Sequence, residues 1–280
     1  MAHERRVDKT TGRQVLLPEI VLTVFYDEEM ECRVHLRFYA ELNDHLPPDS
    51  QFRAIERSFA VPRSVKDLIE SCGVPHTEVE LIVVNGASVD FSHIVRDRDR
   101  IAVYPVFEAV DITPALRVRP SPLRDPRFVL DVHLGKLAAY MRMLGFDTAY
   151  RNCLQDAQLA RISATQHRTL LTRDRGLLKR SAVTHGYWLR ETDSRAQLAE
   201  IVHRFDLAGA IRPFTRCMAC NGVLRVVGKA DVRHELPPRV EAAFDDFRQC
   251  PDCRRVFWQG SHFRRMQQWI EQLTGAGHKV

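Results

Sequence analysis

The apolar positions change their spacing twice along the chain, and the changes divide it into three regions. Residues 1–18 are polar, charged and without pattern, and read as a flexible tail. From Ile20 the pattern becomes strand-like. Ile20–Tyr26 is rich in β-branched and aromatic residues, and Glu31–Arg37 alternates with period two. Ser64–Cys72 has helical spacing, with Ser64 placed to cap it and Gly73 just beyond its end. Glu80–Val84 is an apolar strand entering Asn85-Gly86, a pair that tolerates the left-handed backbone of a tight hairpin. Asp99–Phe107 supplies a last strand. Strands, one helix and more strands predict an α+β domain over residues 19–110.

Pro114, Pro120, Pro122 and Pro126 then punctuate a basic stretch that cannot continue a helix, so 111–126 reads as a linker. From Phe128 strands alternate with helices. Phe128–Asp131, Phe146–Tyr150, Thr169–Thr172 and Tyr187–Leu189 are the strands. Leu134–Leu144, a segment opening at Asp156, a third after Arg175 and one capped by Asp193 are the helices. That alternation predicts an α/β domain with a parallel sheet over 127–212. Residues 213–280 hold the cysteine pairs and a terminal helix.

Apolar residues make up 45% of the 280 and charged residues 28%, the balance of a globular protein rather than a disordered one. No apolar run reaches the ~20 residues of a membrane span, and the first residues lack a secretory apolar core, so a cytoplasmic location is expected. The net charge of +5 conceals an asymmetry: residues 1–110 carry 13 basic against 19 acidic residues, the remainder 28 against 17. A polyanion-binding surface would therefore lie C-terminal; two solvated surfaces of opposite sign are the alternative.

Of seven cysteines, Cys32, Cys72 and Cys153 stand alone, while Cys217, Cys220, Cys250 and Cys253 form two C-x-x-C pairs separated by 29 intervening residues. Two such turns point four thiolates at one tetrahedral position, a structural zinc site with no open coordination place. The long interval predicts a hairpin or helical insertion around Pro237 to Phe247. Arg248, Arg254, Arg255, Arg264 and Arg265 crowd the second pair beside Phe257, Trp258 and His262. This mixture suits gripping an RNA backbone and stacking a base, or else a small core rimmed by solvated arginines.

Asp131 ends a strand, Asp156 starts a helix and Asp174 follows a strand. In a parallel sheet the ligand crevice lies off the carboxyl ends of the strands. Clustered carboxylates repel unless they share cations, and hard oxygen ligands select Mg²⁺ or Mn²⁺, the ions of phosphodiester hydrolysis. Lys136, Arg142, Arg173 and Arg175 lie close by in sequence as candidates for holding phosphate.

Asp131–Asp147, Asp156–Leu159, Leu170–Arg175, the two cysteine pairs and Phe257–His262 together resemble the Mut-seven C-terminal ribonuclease family over about 127–270. The resemblance implies a PIN-like nuclease fold with a zinc ribbon, and Asp131, Asp156 and Asp174 as metal-binding acids. Many PIN nucleases carry another acid shortly after the third. Here Arg175, Gly176 and Leu177 follow, and Asp193 is the substitute. His35–Leu42, Val74–Glu78 and Val84–Gly86 resemble the ubiquitin-like β-grasp domain fused in front of that family. A sulfur carrier of that fold needs a free Gly-Gly end. This segment runs from Val106-Phe-Glu108 into the linker instead, so docking or substrate presentation is the expected role.

Three functions are compatible with these readings. The first is an Mg²⁺- or Mn²⁺-dependent ribonuclease acting on tRNA, rRNA or mRNA, its ribbon and basic surface aiding RNA binding. The second is a non-catalytic RNA- or ribosome-binding adaptor with a ubiquitin-like interaction domain. The third is a ubiquitin-like interaction protein whose nuclease stays silent until a partner docks.

Overall fold

The computed structural model describes residues 31–105 and 126–275. The strand expected at Ile20–Tyr26, the tail 1–18 and the linker up to residue 125 lie outside the described residues. Among the described residues no helix is long and apolar enough to cross a membrane.

In the N-terminal domain β1 (Cys32–Phe38) buries Val34, Leu36 and Phe38 and exposes the residues between them, as period-two alternation requires. It pairs antiparallel with β2 (Ala54–Phe59) and parallel with β5 (Arg100–Pro105). Helix α1 (Val65–Ser71) follows β2, with the Ser64 hydroxyl accepting from the Asp67 N–H as its cap. β3 (Val79–Val84) and β4 (Ala87–Val89) form the expected hairpin through Asn85 and Gly86, whose φ angles are 52° and 87°. The sheet order is β2-β1-β5-β3-β4, and α1 packs Val65, Leu68 and Ile69 into the core beneath it. This mixed sheet with a parallel centre and one helix is the β-grasp arrangement.

The next domain runs β6 (Arg127–Leu130), α2 (Gly135–Met143), β7 (Asp147–Ala149), α3 (Asp156–Gln166), β8 (Thr169–Thr172), α4 (Arg175–Leu178), β9 (Gly186–Trp188) and α5 (Ser194–Arg204). All strand pairs are parallel and the order is β7-β6-β8-β9. Phe128 and Leu130 of β6 enter one apolar cluster with α2 and α5, while Val129 enters another with α3 and α4. Both faces are covered, which is why these strands read as continuous apolar runs rather than alternations.

Beyond lies a three-stranded antiparallel sheet of β10 (Arg225–Val227), β11 (Phe247–Gln249) and β12 (Val256–Trp258). The insertion is helical and begins earlier than expected, with α6 (Lys229–Val232) and then α7 (Pro238–Ala243). Helix α8 (Ser261–Gly275) returns to the parallel-sheet domain, where Trp269 meets the Tyr140 ring at 4.8 Å and Ile270 joins its core.

The β-grasp domain docks on the β9 edge. The Glu78 carboxylate accepts from the Trp188 N–H (2.6 Å) as a neighbouring strand would. It also takes His45 Nε2 at 2.9 Å and Arg190 Nη2 at 3.2 Å. Lys179 donates to Glu70 O, His76 Nε2 lies 2.9 Å from Val183 O, and Arg204 pairs with Glu41.

Candidate active site and metal centre

The strand order sets the site. From β6 the chain steps outward to β7, then crosses to β8 on the other side. The topological switch, and hence the ligand crevice, therefore falls between β6 and β8. Asp131 is the residue after β6, and Asp174 lies two beyond the end of β8. Asp131 is buried; its Oδ1 accepts from the Val132 N–H (2.6 Å) and its Oδ2 from the Thr172 hydroxyl (2.7 Å). The same hydroxyl oxygen accepts from the Asp174 N–H at 2.9 Å, so Thr172 ties the two acids together. Asp174 is exposed, with Oδ1 taken by the Gly176 N–H.

Both acids line one cavity of about 300 Å³, together with His133, Leu134, Arg173, Thr192, Ser194 and Gln197. Ion pairs of this domain fall elsewhere, on Asp147, Asp156 and Arg190. Among the described residues, neither Asp131 nor Asp174 has a lysine or arginine in salt-bridge reach. The two carboxylates offer oxygen ligands, one buried and one exposed, which suits a hard divalent cation.

The other expected residues are spread more widely. Arg173 lines the cavity. Asp193 caps α5: the N–H groups of Ala196 and Arg195 hold its carboxyl below the usual range, with a smaller contribution from the Lys136 charge. Lys136 sits over the Tyr140 ring on that same side. Asp156 does not line the cavity; it is exposed, 4.0 Å from Arg180.

Two arginines expected at phosphate are committed to other work. Arg142 is buried and donates to Thr148 O (2.9 Å), Ala219 O (2.8 Å) and Met218 O (3.2 Å), joining the ribbon to β7. Arg175 lies 4.0 Å over the Trp188 ring and donates to His45 O across the domain boundary. Their charge gave them away as candidates, but their burial depends on contacts far off in sequence. Conversely Thr172, His133, Thr192 and Ser194 were missed. A threonine ending a buried strand just before Arg173-Asp174 is the one signal that pointed to the link.

The four cysteine sulfurs lie within 4.8 Å of one another. Cys217 is 3.6 Å from Cys253, and Cys220 is 3.3 Å from Cys250. A tetrahedron with Zn–S bonds of ~2.3 Å has edges of about 3.8 Å, so the cluster fits zinc. Burial pushes the Cys220 thiol up to about 12, so a bound cation is needed to hold it as thiolate. Four sulfur ligands leave no place for substrate, and the role is structural. The flanking Asn221 accepts from the Thr148 N–H and donates to Asp147, fixing the cluster against the parallel sheet.

No curated protein and no solved structure gives a significant match to the chain. A family model described as the Mut7-C RNAse domain matches residues 126–270, the parallel-sheet domain and its ribbon, and one described as Mut7-C ubiquitin matches residues 31–111. The first match alone spans more than half of the chain, and the protein belongs to the Mut7-C RNAse domain family, preceded by a Mut7-C ubiquitin domain.

Proposed function

We propose that the protein is a metal-dependent ribonuclease whose reaction centre is the cavity between β6 and β8. The observation that carries this is that Asp131 and Asp174 line one cavity at the switch point of the sheet, where the Thr172 hydroxyl donates to the Asp131 carboxylate and accepts from the Asp174 backbone N–H. Among the described residues no lysine or arginine pairs with either acid, and the two would hold Mg²⁺ or Mn²⁺. When bound there, such a cation supplies Lewis acidity and makes a water acidic enough to attack phosphorus.

The side chains account for the rest. Hydrogen bonds from Val132 and Thr172 fix the Asp131 carboxylate in one orientation. Arg173, on the cavity wall, neutralises phosphate charge, and Lys136 and Asp193 stand on the α2–α5 side of the site. Thr192 and Ser194 offer hydroxyls to the phosphate or ribose. Asp156, Arg142 and Arg175 have no part in this reading. The ribbon's arginines extend the track for RNA.

The test is incubation of the full chain with total cellular RNA in Mn²⁺ or Mg²⁺, followed by sequencing of product ends. Asp131→Asn combined with Asp174→Asn should lower cleavage by at least about two orders of magnitude, the scale of losing a charge-stabilising group. Undiminished cleavage by the double variant, or cleavage without divalent ions, overturns the proposal.

A further inference from the structure

A cavity of about 510 Å³ lies away from the carboxylates, between the ribbon sheet, the segment 213–218 and the start of α8. One wall is aromatic and cationic. Phe257 on β12 stands directly opposite Arg248 on β11, so both project from the same sheet face. Val256 and Trp258, the neighbours of Phe257, pack into the ribbon core, whereas Phe257 belongs to none of the four buried clusters among the described residues. The facing wall is Phe214 on Phe263, with ring centroids 4.2 Å apart, and the Arg248 guanidinium donates to Phe214 O. Asp246, Gln259, Ser261 and His262 add hydrogen-bonding groups to the lining. Arg254, Arg255, Arg264 and Arg265 are exposed along the adjoining knuckle and helix.

Helix α8 connects this cavity to the carboxylate site. Phe263 lines the aromatic cavity, and Trp269, six residues on, lies about 9 Å further along the helix axis at 1.5 Å per residue. There Trp269 packs on Tyr140 and beneath the Arg195 guanidinium, 5.0 Å away. Arg195 directly follows Ser194 of the carboxylate cavity.

We propose that this second cavity takes one unpaired nucleobase of the RNA whose phosphodiester lies at Asp131 and Asp174, with Phe257 as the stacking surface. The identity of the ligand as RNA rests on the ribonuclease reading. The aromatic walls suit a planar heterocycle, the polar lining suits its edges, and the arginines suit the phosphates on either side. An apolar side chain from a protein partner would leave the lining groups unmatched. A base held in this way must be out of a helix, so the substrate class is single-stranded RNA.

The experiment measures binding of a short, end-labelled single-stranded RNA by anisotropy, using full-length protein carrying Asp131→Asn to prevent turnover. Phe257→Ala should weaken binding about tenfold or more, the scale of losing one base–aromatic stack. Phe257→Tyr should restore it, and Phe257→Leu, which keeps the apolar volume, should not. An abasic position walked along the RNA should cost the same at one register and add nothing to Phe257→Ala. Zinc content and melting temperature check that each variant is folded. Unchanged affinity in Phe257→Ala and Phe257→Leu overturns the assignment. Equal affinity for intact and abasic RNA does so too, and leaves the cavity to a protein side chain. Wild-type protein that shows the Phe257 signature yet cleaves no RNA would sink the ribonuclease reading alone; cleavage and binding indifferent to Phe257 would sink only the base pocket.

Discussion

Glu78→Gln tests the junction between the two domains. The Glu78 side chain is 1% exposed and its two oxygens accept from three donors: Trp188 N–H on one, His45 Nε2 and Arg190 Nη2 on the other. Glutamine keeps the shape but has one acceptor and one donor, so whichever way the amide turns, an N–H faces an N–H. The less costly orientation leaves the Trp188 N–H unmatched; the other strips both His45 and Arg190. Hydrogen bonds to charged groups contribute about 1.5–3 kcal/mol each, and leaving a buried ion pair without one partner costs about 3–5 kcal/mol. The retained acceptor puts the expected loss near the lower figure, about 2–3 kcal/mol, a large part of the ~5–15 kcal/mol that holds a domain folded. Urea unfolding of the full chain reads it, and tryptophan fluorescence follows the interface through Trp188. The effect carries its own pH control. Burial alone would raise the Glu78 carboxyl, but the His45 hydrogen bond and the charges of His45 and Arg190 hold it below the usual glutamate range. A carboxyl lowered by folding contributes stability above its unfolded value and loses it as pH falls through the folded one. The difference between wild type and variant should therefore vanish in acid. A variant within about 0.5 kcal/mol of wild type at neutral pH would refute the reasoning.

Arg142→Ala should lower the melting temperature and loosen zinc retention, because at least three carbonyls lose their donor, while KM for RNA stays unchanged. A raised KM with unaltered stability would return Arg142 to the phosphate. The Asp147 carboxyl, despite burial, is held low by hydrogen bonds from Arg168 and Asn221 and by the charges of Arg168 and Arg216. Its contribution exists above the usual aspartate range and disappears as pH falls through the folded value, so wild type and Asp147→Asn should converge in melting temperature on acidification. A gap that persists in acid contradicts this. Chelation of the metal should release β10, β11 and β12 to hydrogen exchange, since among the described residues the buried apolar cluster there is Val232, Leu236 and Phe247 alone, while residues 31–105 keep their protection. Unchanged exchange in the ribbon would remove the structural role of the metal.

The legible parts of this sequence are those governed by local chemistry. Asn85-Gly86 makes its hairpin, Ser64 and Asp193 cap their helices, and Asp131 and Asp174 sit at strand ends, because each depends on a few neighbouring residues. The cysteine spacing sufficed for the metal centre for the same reason. What is not legible depends on distant packing. Asp156 opens α3, where its place beside Arg180 rather than in the cavity follows from the layering of α3 and α4 on one sheet face. Arg142 and Arg175 look like phosphate ligands until the ribbon and the β-grasp domain arrive to occupy them. Glu78 has no local signature at all; its partners His45 and Arg190 are 33 and 112 residues away.

Those long-range contacts also bear on what the β-grasp domain does. It grips two segments that run directly into the carboxylate cavity. Arg175, which touches His45 and covers Trp188, is the residue after Asp174. Arg190, held by Glu78 and Asp44, stands two residues before Thr192. Yet every residue lining that cavity comes from between Asp131 and Gln197, and none from residues 31–105. Among the described residues the domain therefore braces the two loops without contributing to the lining of the cavity. The face that carries His45, His76 and Glu78 is engaged within the chain, and recruitment of another protein through the β-grasp fold would have to use a different one.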